Sequence, residues 1–426
     1  AKPHFYLGLI VFAVGALVAV GLFFATLVIA KEEKTYEGSI PLVTFGALTA
    51  AIIAVYTLAS GAIILIPTFL WSVGLIGNID PLMYKAIWWG FGHSSQQINV
   101  SAHVSIWYMI GALVVGAKPL SEKVSRTAFL MYILFLQLAS AHHLLAEPGM
   151  SSEWKVLNTS YMMYLAVMGS MVHGLTVPGS IEAAQRRNGF THGAFEWLRK
   201  APWGNPAFSG MFLSLVMFGF LGGISGVILG TEQLNVLMHN TIYVPGHFHA
   251  TVVTGTTLAF MAVTYLVLPL IFQRDVILPG LARWQPYLFG LGAAGISLFM
   301  MGAGTLGVSR RHWDMAFSDA SISFQHSAGA FLMMGLNGIS AILAAIGGIL
   351  FVVIVVGTVL LGPKVGPGHK MVFPLHTGGV EAATHYGSEK GPNLTGTAIL
   401  VAVFFVSFVV YYFVNWKYLA DLWLFR

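Results

Sequence analysis

The sequence predicts an all-α, polytopic membrane protein, a bundle of about ten transmembrane helices. Of its 426 residues, 57% are hydrophobic and only 9% are charged, whereas soluble globular proteins carry about 25% charged residues. Apolar stretches long enough to cross about 30 Å of hydrocarbon recur along the chain. So few charged residues cannot cover a water-facing surface, so lipid is the expected solvent.

The apolar stretches define ten predicted spans, separated by loops rich in turn and breaker residues such as KEEKTYEGS and GNIDP. We find no internal repeat and no second soluble domain, so residues 1–426 are predicted to form a single integral membrane domain. Residues 362–394 are rich in Gly and His and form a predicted cytoplasmic connector before the last helix. The ten spans are 5–30, 41–75, 82–116, 125–146, 157–185, 206–230, 235–271, 283–308, 324–361 and 395–416.

The lysine and arginine residues predict the orientation of the bundle. Fourteen of them fall in one alternate set of loops and six in the other set, which includes both termini. Cytoplasmic loops carry the excess of these residues. The N-terminus of this chain is therefore predicted to lie outside, although AKPHFYLG follows no signal peptide.

Arg310 and Arg311 stand together in an outer loop, GVSRRHW, against this trend. Two adjacent guanidinium groups there need an anion. A lipid headgroup or the nearby Asp314 would satisfy them. The alternative is a ligand that carries a pair of buried carboxylates.

Five histidines lie at similar depth in three predicted spans. His93 lies in the third span, His142 and His143 lie near the outer end of the fourth, and His247 and His249 lie in the seventh. A rise of about 1.5 Å per residue brings all five to the outer part of the bilayer. A lone buried histidine is readily a hydrogen-bonded core residue, but five at one depth predict a ligand-binding site.

The spacing of His247 and His249 determines what they can bind. Residues two apart on an α-helix are rotated by about 200°, so the two rings cannot chelate one metal together. Each can hold a different planar cofactor, one on either side of the helix. His142 and His143 can converge on one ion if His93 joins them, and three imidazoles suit copper, iron or zinc.

The chain resembles subunit I of the haem-copper oxygen reductase superfamily, and within it the B-type branch. The resemblance covers the whole chain and is carried by the order GFGH, HH and HFH, by the arginine pair, and by the stretches IPLVTF, HHLLAEPGM, WLRKAPWGNPAF and HNTIYVPGHFH. It implies two haems, one high-spin and one low-spin, and a non-haem metal, copper or iron. It also implies a multi-pass protein of a prokaryotic cytoplasmic membrane.

The resemblance also implies a role for each matching residue. His247 would be the axial ligand of the high-spin haem, and His249 would be an axial ligand of the low-spin haem. The non-haem metal would be held by His93, His142 and His143. The haem propionates would be met by Arg310, Arg311, His239 and Asn240.

The match to the family begins at its fourth helix. In the family the earlier helices carry the second axial histidine of the low-spin haem, and no spare histidine here has that context. We expect a small partner subunit to supply three helices and that ligand, the alternative being an incomplete chain. An electron-entry subunit with CuA or cytochrome c is also expected, because a chain without cysteine has no C-x-x-C-H. Nothing indicates binding to nucleic acid.

At position 97 the sequence differs from the family in a way that affects the predicted function. Oxygen-reducing members carry Tyr four residues after the first metal ligand, in G-H-P-x-V-Y, and this Tyr supplies an electron and a proton. Here the stretch is GHSSQQINV, with Ser94 in place of Pro. Splitting O2 needs four electrons, whereas coupling two NO molecules needs two, and the NO reductases of the superfamily also lack this Tyr.

The sequence therefore favours nitric oxide reductase activity, with Gln96 and Gln97 as candidate catalytic residues that hydrogen-bond substrate. Terminal oxygen reductase activity, with cytochrome c or quinol as donor, is the alternative. A non-enzymatic membrane metal transporter is the third hypothesis. The polar run that continues through Asn99, Ser101 and His103 fits interhelical hydrogen bonding as well as a proton path. By resemblance, the path candidates are Tyr108, Ser170, His173 and Thr176.

Overall fold

Every regular element of the described chain is helical. The computed structural model describes residues 3–136, 139–311, 325–376 and 391–421. Within these ranges the only extended pairings are two isolated bridges, Thr241 with Ser309 and Arg274 with Lys364. The all-α polytopic class predicted from the sequence is confirmed.

Fifteen α-helices are present in the described ranges, some of them joined end to end by π-helical turns. In chain order they are α1 (Pro3–Glu32), α2 (Leu42–Ser72), α3 (Pro81–Val115), α4 (Glu122–Met131), α5 (Ser152–Val156), α6 (Tyr164–Arg187), α7 (Glu196–Arg199), α8 (Pro206–Met217), α9 (Ile224–Gly230), α10 (Glu232–Met238), α11 (Tyr243–Phe248), α12 (Leu258–Phe272), α13 (Pro279–Thr305), α14 (Ala328–Leu361) and α15 (Thr395–Asp421). The π-helical turns are Tyr132–Leu136, Leu157–Met163, Phe218–Gly223 and His249–Thr257, and a 3-10 segment covers Ser140–Leu144.

Eight helical segments in the described ranges are long and apolar enough to cross a membrane. They are Pro3–Glu32, Leu42–Ser72, Pro81–Val115, Pro206–Gly230, Tyr243–Phe272, Pro279–Thr305, Ala328–Leu361 and Thr395–Tyr418. The other two predicted spans, 125–146 and 157–185, are helical but are interrupted by π-helical or 3-10 turns. Residues 137–138 of the first of these lie outside the described residues.

The seventh span is shorter than the sequence predicts. The apolar run 235–271 contains a break after α10, and the membrane-length helix begins at Tyr243. Asn240 has φ of 62°, which ends a right-handed helix. Its carbonyl accepts the N–H of Arg310 at 2.8 Å, and the N–H of Ile242 donates to the Val308 carbonyl at 2.9 Å. These pairings replace the helical hydrogen bonds at the break.

The described chain divides into two compact units. The first unit comprises Ala1–Ser105 and Ser121–His173, and the second comprises Ile106–Leu120 and Gly174–Arg426. The boundary falls within α3 and α6, so each of these helices contributes to both units.

In the first unit, α2 is the element on which the others pack. Helix α1 contacts α2 and buries none of its own residues, so its apolar surface suits lipid. Helix α2 also contacts α3 and α4 closely at Gly46, where a Cβ atom would meet the Ser105 hydroxyl and the Phe129 ring. A small residue at this position therefore lets the helices approach one another.

In the second unit, α13 and α14 approach along small residues. A Cβ atom at Gly347 would lie 2.5 Å from the backbone nitrogen of Phe289, and one at Gly292 would lie 2.7 Å from Cα of Ala344. Interfaces of this kind associate by close van der Waals packing, because burial from lipid supplies no hydrophobic driving force.

A buried carboxylate anchors the last helix of the second unit. Glu182 is fully buried and accepts the N–H groups of Gly396 and Thr397, at 3.0 Å and 2.6 Å, in the first turn of α15. Arg186 donates to the same carboxylate at 2.7 Å. The negative charge satisfies N–H groups that a helix N-terminus leaves without partners.

The predicted connector is tied to the loop between α12 and α13. Asp275 is buried and accepts hydrogen bonds from His369 Nε2 at 2.7 Å and from the Val372 N–H at 2.9 Å. The described parts of the connector, 362–376 and 391–394, contain no helix. Residues 377–390 of the connector lie outside the described residues.

Candidate metal centre and haem ligands

Three histidines of the first unit converge on one point. His93 comes from α3, whereas His142 and His143 come from the 3-10 segment, and their ligand atoms all lie within 4.8 Å of one another. Nδ1 of His93 lies 2.8 Å from Nε2 of His143, and the His93 and His142 ring centroids are 4.2 Å apart. Bonds of about 2.0–2.1 Å from nitrogen to a metal let one ion bridge a cluster of this size. We call these residues the triad.

Each ring of the triad is oriented by a neighbour. Nδ1 of His142 is hydrogen-bonded to the Ala139 carbonyl, so Nε2 is the nitrogen that would bind a metal. The ring of His143 stacks on Trp89, with centroids 3.9 Å apart and planes inclined by 10°. A metal-binding imidazole is usually fixed in this way through its other nitrogen or its ring face.

Gln97 holds the third ring. Its Nε2 lies 2.7 Å from Nε2 of His93, one helical turn earlier on α3. The Nδ1 atom of His93 faces His143, so Nδ1 is its metal-binding atom. With a metal there, Nε2 carries the ring proton, and the Gln97 amide oxygen is the group that accepts it after rotation of the amide. Gln97 is buried, and a neutral amide at this position orients the ring without adding charge.

Gln96 brings a second amide close to the triad in sequence. Its Nε2 is buried and has no hydrogen-bond partner among the described residues. A buried donor without a partner costs free energy, about 1–3 kcal/mol in proteins. A bound ligand or water at this amide would satisfy the donor.

An ion pair joins α3 to the residues that follow the 3-10 segment. Lys85 Nζ, in the first turns of α3, lies 2.5 Å from Glu147 Oε2, which follows the 3-10 segment. Lys85, Trp89, His93 and Gln97 are spaced four residues apart and therefore share one face of α3. We call these four residues the α3 stripe. His93 belongs to the triad, Trp89 and Gln97 contact its rings, and Lys85 pairs with Glu147 just after the 3-10 segment.

His247 and His249 have different partners in the second unit. Nδ1 of His247 lies 2.9 Å from the Ser225 hydroxyl of α9, and a Cβ atom at Gly226 would lie 3.2 Å from Cε1 of the same ring. Nδ1 of His249 lies 2.7 Å from the Pro245 carbonyl of its own helix. In both rings, Nε2 is then the nitrogen that would bind iron.

The arginine pair and Asn240 lie together, as their proposed role requires. Nη2 of Arg310 donates to Asn240 Oδ1 at 3.0 Å. Nε of Arg310 is buried without a hydrogen-bond partner in the described ranges. Burial, and then the positive charge of Arg311, lower the pKa of Arg310 below its ordinary value. Asp314, the alternative partner, lies outside the described residues.

A bidentate anion fits this place, because it would satisfy the Nε atom and offset the two positive charges. His239 is at the C-terminal end of α10, where its N–H donates to the Asn235 carbonyl at 2.7 Å. The donor sets of the triad, the two oriented rings and the arginine pair therefore fit a non-haem metal and two haems with propionates.

The four predicted path residues fall into pairs within each unit. In the second unit, the hydroxyl groups of Tyr108 and Thr176 are 2.6 Å apart. In the first unit, the Ser170 hydroxyl lies 2.9 Å from that of Tyr132, and the ring of His173 lies 5.7 Å from the Tyr132 ring.

Sequence reasoning missed several residues that hold the candidate ligands. Ser225 and Tyr132 lie far from their partners in the chain, so no spacing reveals them. Trp89 and Lys85 could have been found from the sequence, because they precede His93 by four and eight residues on one helix and therefore share its face.

Fold and site together define an integral membrane protein with a cluster of three histidines that could hold a metal ion. Residues 1–346 match the family described as Cytochrome C and Quinol oxidase polypeptide I, and the chain belongs to that family. The match covers most of the chain, including the triad, the H-x-H pair and both arginines.

Named relatives agree with this membership. The chain is 32% identical over 353 residues to cytochrome c oxidase subunit 1 of Thermus thermophilus, covering 80% of this chain and 61% of that protein. It is 26% identical over 265 residues to cytochrome c oxidase subunit 1 of Cereibacter sphaeroides, covering 60% of this chain and 42% of that protein. The chain thus spans less than two thirds of the length of these relatives.

A solved structure shares the fold. The cryo-EM structure of a heme-copper terminal oxidase dimer aligns with a TM-score of 0.78 and 26% identity, over 97% of this chain and 71% of that chain. The helical architecture described above is therefore that of a haem-copper oxidase subunit I.

Proposed function

We propose that this chain is the catalytic subunit of a membrane-bound respiratory reductase that converts nitric oxide to nitrous oxide. The reaction is 2 NO + 2 e− + 2 H+ → N2O + H2O. Two haems and one non-haem metal, copper or iron, are the proposed cofactors. When bound, these groups supply the electrons and the electrophilic centres of the reaction.

The observation that supports NO rather than O2 is the side chain at position 97. In oxygen-reducing members a Tyr at this place supplies an electron and a proton. Here an amide nitrogen lies 2.7 Å from Nε2 of His93. Glutamine has no accessible redox chemistry, but it can donate and accept hydrogen bonds. A two-electron reaction does not need the missing donor, whereas a four-electron reaction does.

The residues of the chain have separate tasks in this proposal. His93, His142 and His143 hold the non-haem metal, and Gln97 fixes the ring of His93. The unpartnered Nε2 of Gln96 is the donor proposed to hydrogen-bond the substrate oxygen. His247 and His249 hold the high-spin and low-spin haems. Their propionates are proposed to meet Arg310 and Asn240, with Arg311 and His239 nearby.

Oxygen reduction is the second candidate, and two observations favour it. The relatives above are named cytochrome c oxidase subunit 1. The triad also lacks a carboxylate among the described residues, whereas well-studied NO reductases place a glutamate beside a non-haem iron. If oxygen is the substrate, the enzyme works without the linked Tyr. Gln97→Tyr alone would not create a good oxidase, because Ser94 lacks the turn that Pro gives in the family.

The proposed assembly contains further subunits. A small subunit would supply three helices and the second axial histidine of the low-spin haem, and an electron-entry subunit would carry CuA or cytochrome c. The chain itself contains no cysteine for such centres. We propose a prokaryotic cytoplasmic membrane as the location, with one membrane domain, the N-terminus of this chain outside and the connector 362–394 in the cytoplasm.

The deciding experiment compares anaerobic NO consumption with O2 uptake by the purified complex at equal donor concentration. We expect NO turnover to exceed O2 turnover, with one N2O formed for every two NO consumed. Rapid O2 uptake with negligible NO consumption would replace the proposal by the second candidate. A pyridine haemochrome spectrum without haem would instead indicate the metal transporter.

A further inference from the structure

Asn337 lies inside the apolar helix α14 and has a buried polar atom that the chain itself does not satisfy. Its Oδ1 atom is buried and accepts no hydrogen bond from the described residues. A buried acceptor without a donor costs free energy, and the hydrocarbon of a membrane offers no water to replace the donor. The position therefore calls for a donor that another molecule supplies.

Asn337 faces α13 between two close contacts of the helices. Met333 and Ser340, four residues before and three residues after it, share its face of α14. A Cβ atom at Gly302 of α13 would lie 3.2 Å from the sulfur of Met333, and one at Gly295 would meet the Ser340 hydroxyl. The two helices are thus antiparallel, and Asn337 lies at the depth midway between these glycines.

His249 lies at the same depth on the other side of α13. Gly246, three residues earlier, packs on α13: a Cβ atom there would lie 2.8 Å from the backbone nitrogen of Met301, and its carbonyl accepts the Ser297 hydroxyl at 2.6 Å. Three residues correspond to about 4.5 Å along each helix. Because α11 and α13 are also antiparallel, His249 lies opposite Leu298, midway between the same two glycines.

Leu298 marks an open place on α13 at this depth. It precedes Met301, which meets α11, by three residues and Gly302, which meets α14, by four, so it lies between the two contact faces. Its side chain is 47% exposed. Within the second unit, the surface at this depth is therefore a groove, with His249 on one side, Leu298 at the base and Asn337 on the other side.

The other proposed ligands indicate which donor an acceptor in this groove would meet. An oxygen atom lies beside Nδ1 of three ligand imidazoles, those of His142, His247 and His249. A metal-bound imidazole usually donates its second N–H group to such an acceptor. The second axial histidine of the low-spin haem, expected from a partner subunit, needs an acceptor too. It shares the depth of His249, because two axial ligands borne on the sides of membrane helices face each other across one iron.

We propose that this groove receives the partner helix that carries the second axial histidine, and that Asn337 Oδ1 accepts the Nδ1–H group of that histidine. Asn337 is then a positioning residue, which acts on the iron through the imidazole. Such a hydrogen bond makes the imidazole more basic, which favours ferric over ferrous haem and lowers the midpoint potential. The proposal rests on the proposed function only in that His249 holds a low-spin haem, and it is the same for NO and O2 reduction.

The test is a redox titration of the low-spin haem in the complete purified complex, with EPR spectra of the oxidised haem. Asn337→Leu keeps the volume and removes the acceptor. We expect a higher midpoint potential and release of the low-spin haem to apomyoglobin that is faster by about tenfold. Asn337→Asp keeps an acceptor oxygen and makes it stronger, so the potential should fall below that of the wild type. The EPR g values, which report ligand basicity, should move in opposite directions in the two variants.

Ser340→Ala is the matched control, because Ser340 shares the face of Asn337 but its hydroxyl donates to the Leu336 carbonyl at 2.8 Å. It should keep the wild-type potential and g values. If Asn337→Leu loses the partner subunit, Asn337→Asp decides alone, since it retains the acceptor.

Unchanged potentials and g values in Asn337 variants that keep both haems would overturn the proposal. A change confined to the absorption maximum, with unaltered g values, would also overturn it, because the donor would then belong to a haem substituent. A wild-type complex without a low-spin haem would instead overturn the assignment of His249 in the proposed function.

Discussion

The triad of the first unit and the H-x-H pair of the second unit are held in different ways. In the triad, Trp89 of α3 stacks on His143, and Gln97 contacts His93 on the same helix. Nδ1 of His249 is hydrogen-bonded to the Pro245 carbonyl of its own helix, and Nδ1 of His247 to the Ser225 hydroxyl of α9. The three rings of the triad thus face one point, as ligands of a single ion would, whereas His247 and His249 are oriented separately, as ligands of two different cofactors would be.

The arginine pair sharpens this contrast. Gln96 of α3 and Arg310, which follows α13, each leave one buried donor without a partner in the described ranges. Arg310 is positively charged, and Arg311 adds a second positive charge beside it. An anionic group is therefore expected at Arg310, whereas a neutral ligand or water suffices at Gln96.

The largest expected effect comes from removing a haem ligand. We expect His249→Ala to lose the low-spin haem absorbance and electron input while the high-spin haem and the non-haem metal remain. The reason is that His247 and His249 have separate partners. Optical spectra of the purified variant with metal analysis measure this. His376→Ala, on the connector, is the control and should keep both haems. Two haems with unchanged spectra in His249→Ala would refute the assignment.

A smaller effect is expected when the ring of His93 loses its amide partner. Gln97→Leu keeps the volume and removes the hydrogen bond, so metal affinity or NO turnover should fall about tenfold to hundredfold. Turnover and non-haem metal content of the same preparation report the change. Gln97→Glu keeps an oxygen that can accept a hydrogen bond from the His93 ring, so it is the variant to compare with Gln97→Leu. Unaltered turnover in Gln97→Leu would remove this residue from the site.

Ser225→Ala tests the brace of His247 in the second unit. Because the hydroxyl is a side-chain partner of His247 Nδ1, its loss should weaken retention of the high-spin haem. The expected effect is no larger than that of Gln97→Leu on the metal site. Haem dissociation on dilution into apomyoglobin measures retention. Ser209→Ala is the matched control, because Ser209 is equally buried and its hydroxyl donates to the Asn205 carbonyl and not to a histidine. Equal haem loss in both variants would contradict the role of Ser225.

The smallest effect is expected at the ion pair that joins α3 to the segment after the triad. Lys85 is about half exposed, with 47% of its side chain accessible, so the pair contributes about 1 kcal/mol or less. Lys85→Met should therefore speed metal release to a chelator by a few-fold, and the double change Lys85→Glu with Glu147→Lys should restore it.

Arg126→Met removes the comparable Arg126–Glu122 pair of the first unit and provides the control. Both residues of this pair lie on α4, which carries no residue of the triad, so chelator-driven release should be unchanged. If Lys85→Met and Arg126→Met release metal equally fast, the faster release reflects a general loss of stability and not a role of the α3 stripe.

Much of the fold could be predicted because composition and span length decide it. Too few charges for a water-facing surface, and ten long apolar runs, leave few alternatives to a helical bundle. Breaks within runs could not be predicted. The run 235–271 is interrupted only by the short polar stretch 239–241, yet the helix ends there because Asn240 is left-handed and the backbone at this point bonds to Val308 and Arg310.

The triad could be predicted because depth in the membrane follows from residue counting, and His93, His142 and His143 share one depth. The residues that orient the triad rings could be predicted only within α3, where a spacing of four residues relates Trp89 and Gln97 to His93. Contacts between helices, such as Tyr132 with Ser170 or Ser225 with His247, depend on helix rotation and packing. Neither is visible in one sequence.

The most direct test of the account is the count of non-haem metal in the purified complex, with His93→Ala, His142→Ala and His143→Ala beside the wild type. We predict one copper or iron ion per chain beyond the haem iron in the wild type. Each variant should lose that ion while both haems remain. A wild-type complex with no such ion, or three variants that keep it, would contradict the claim that the triad is the metal centre.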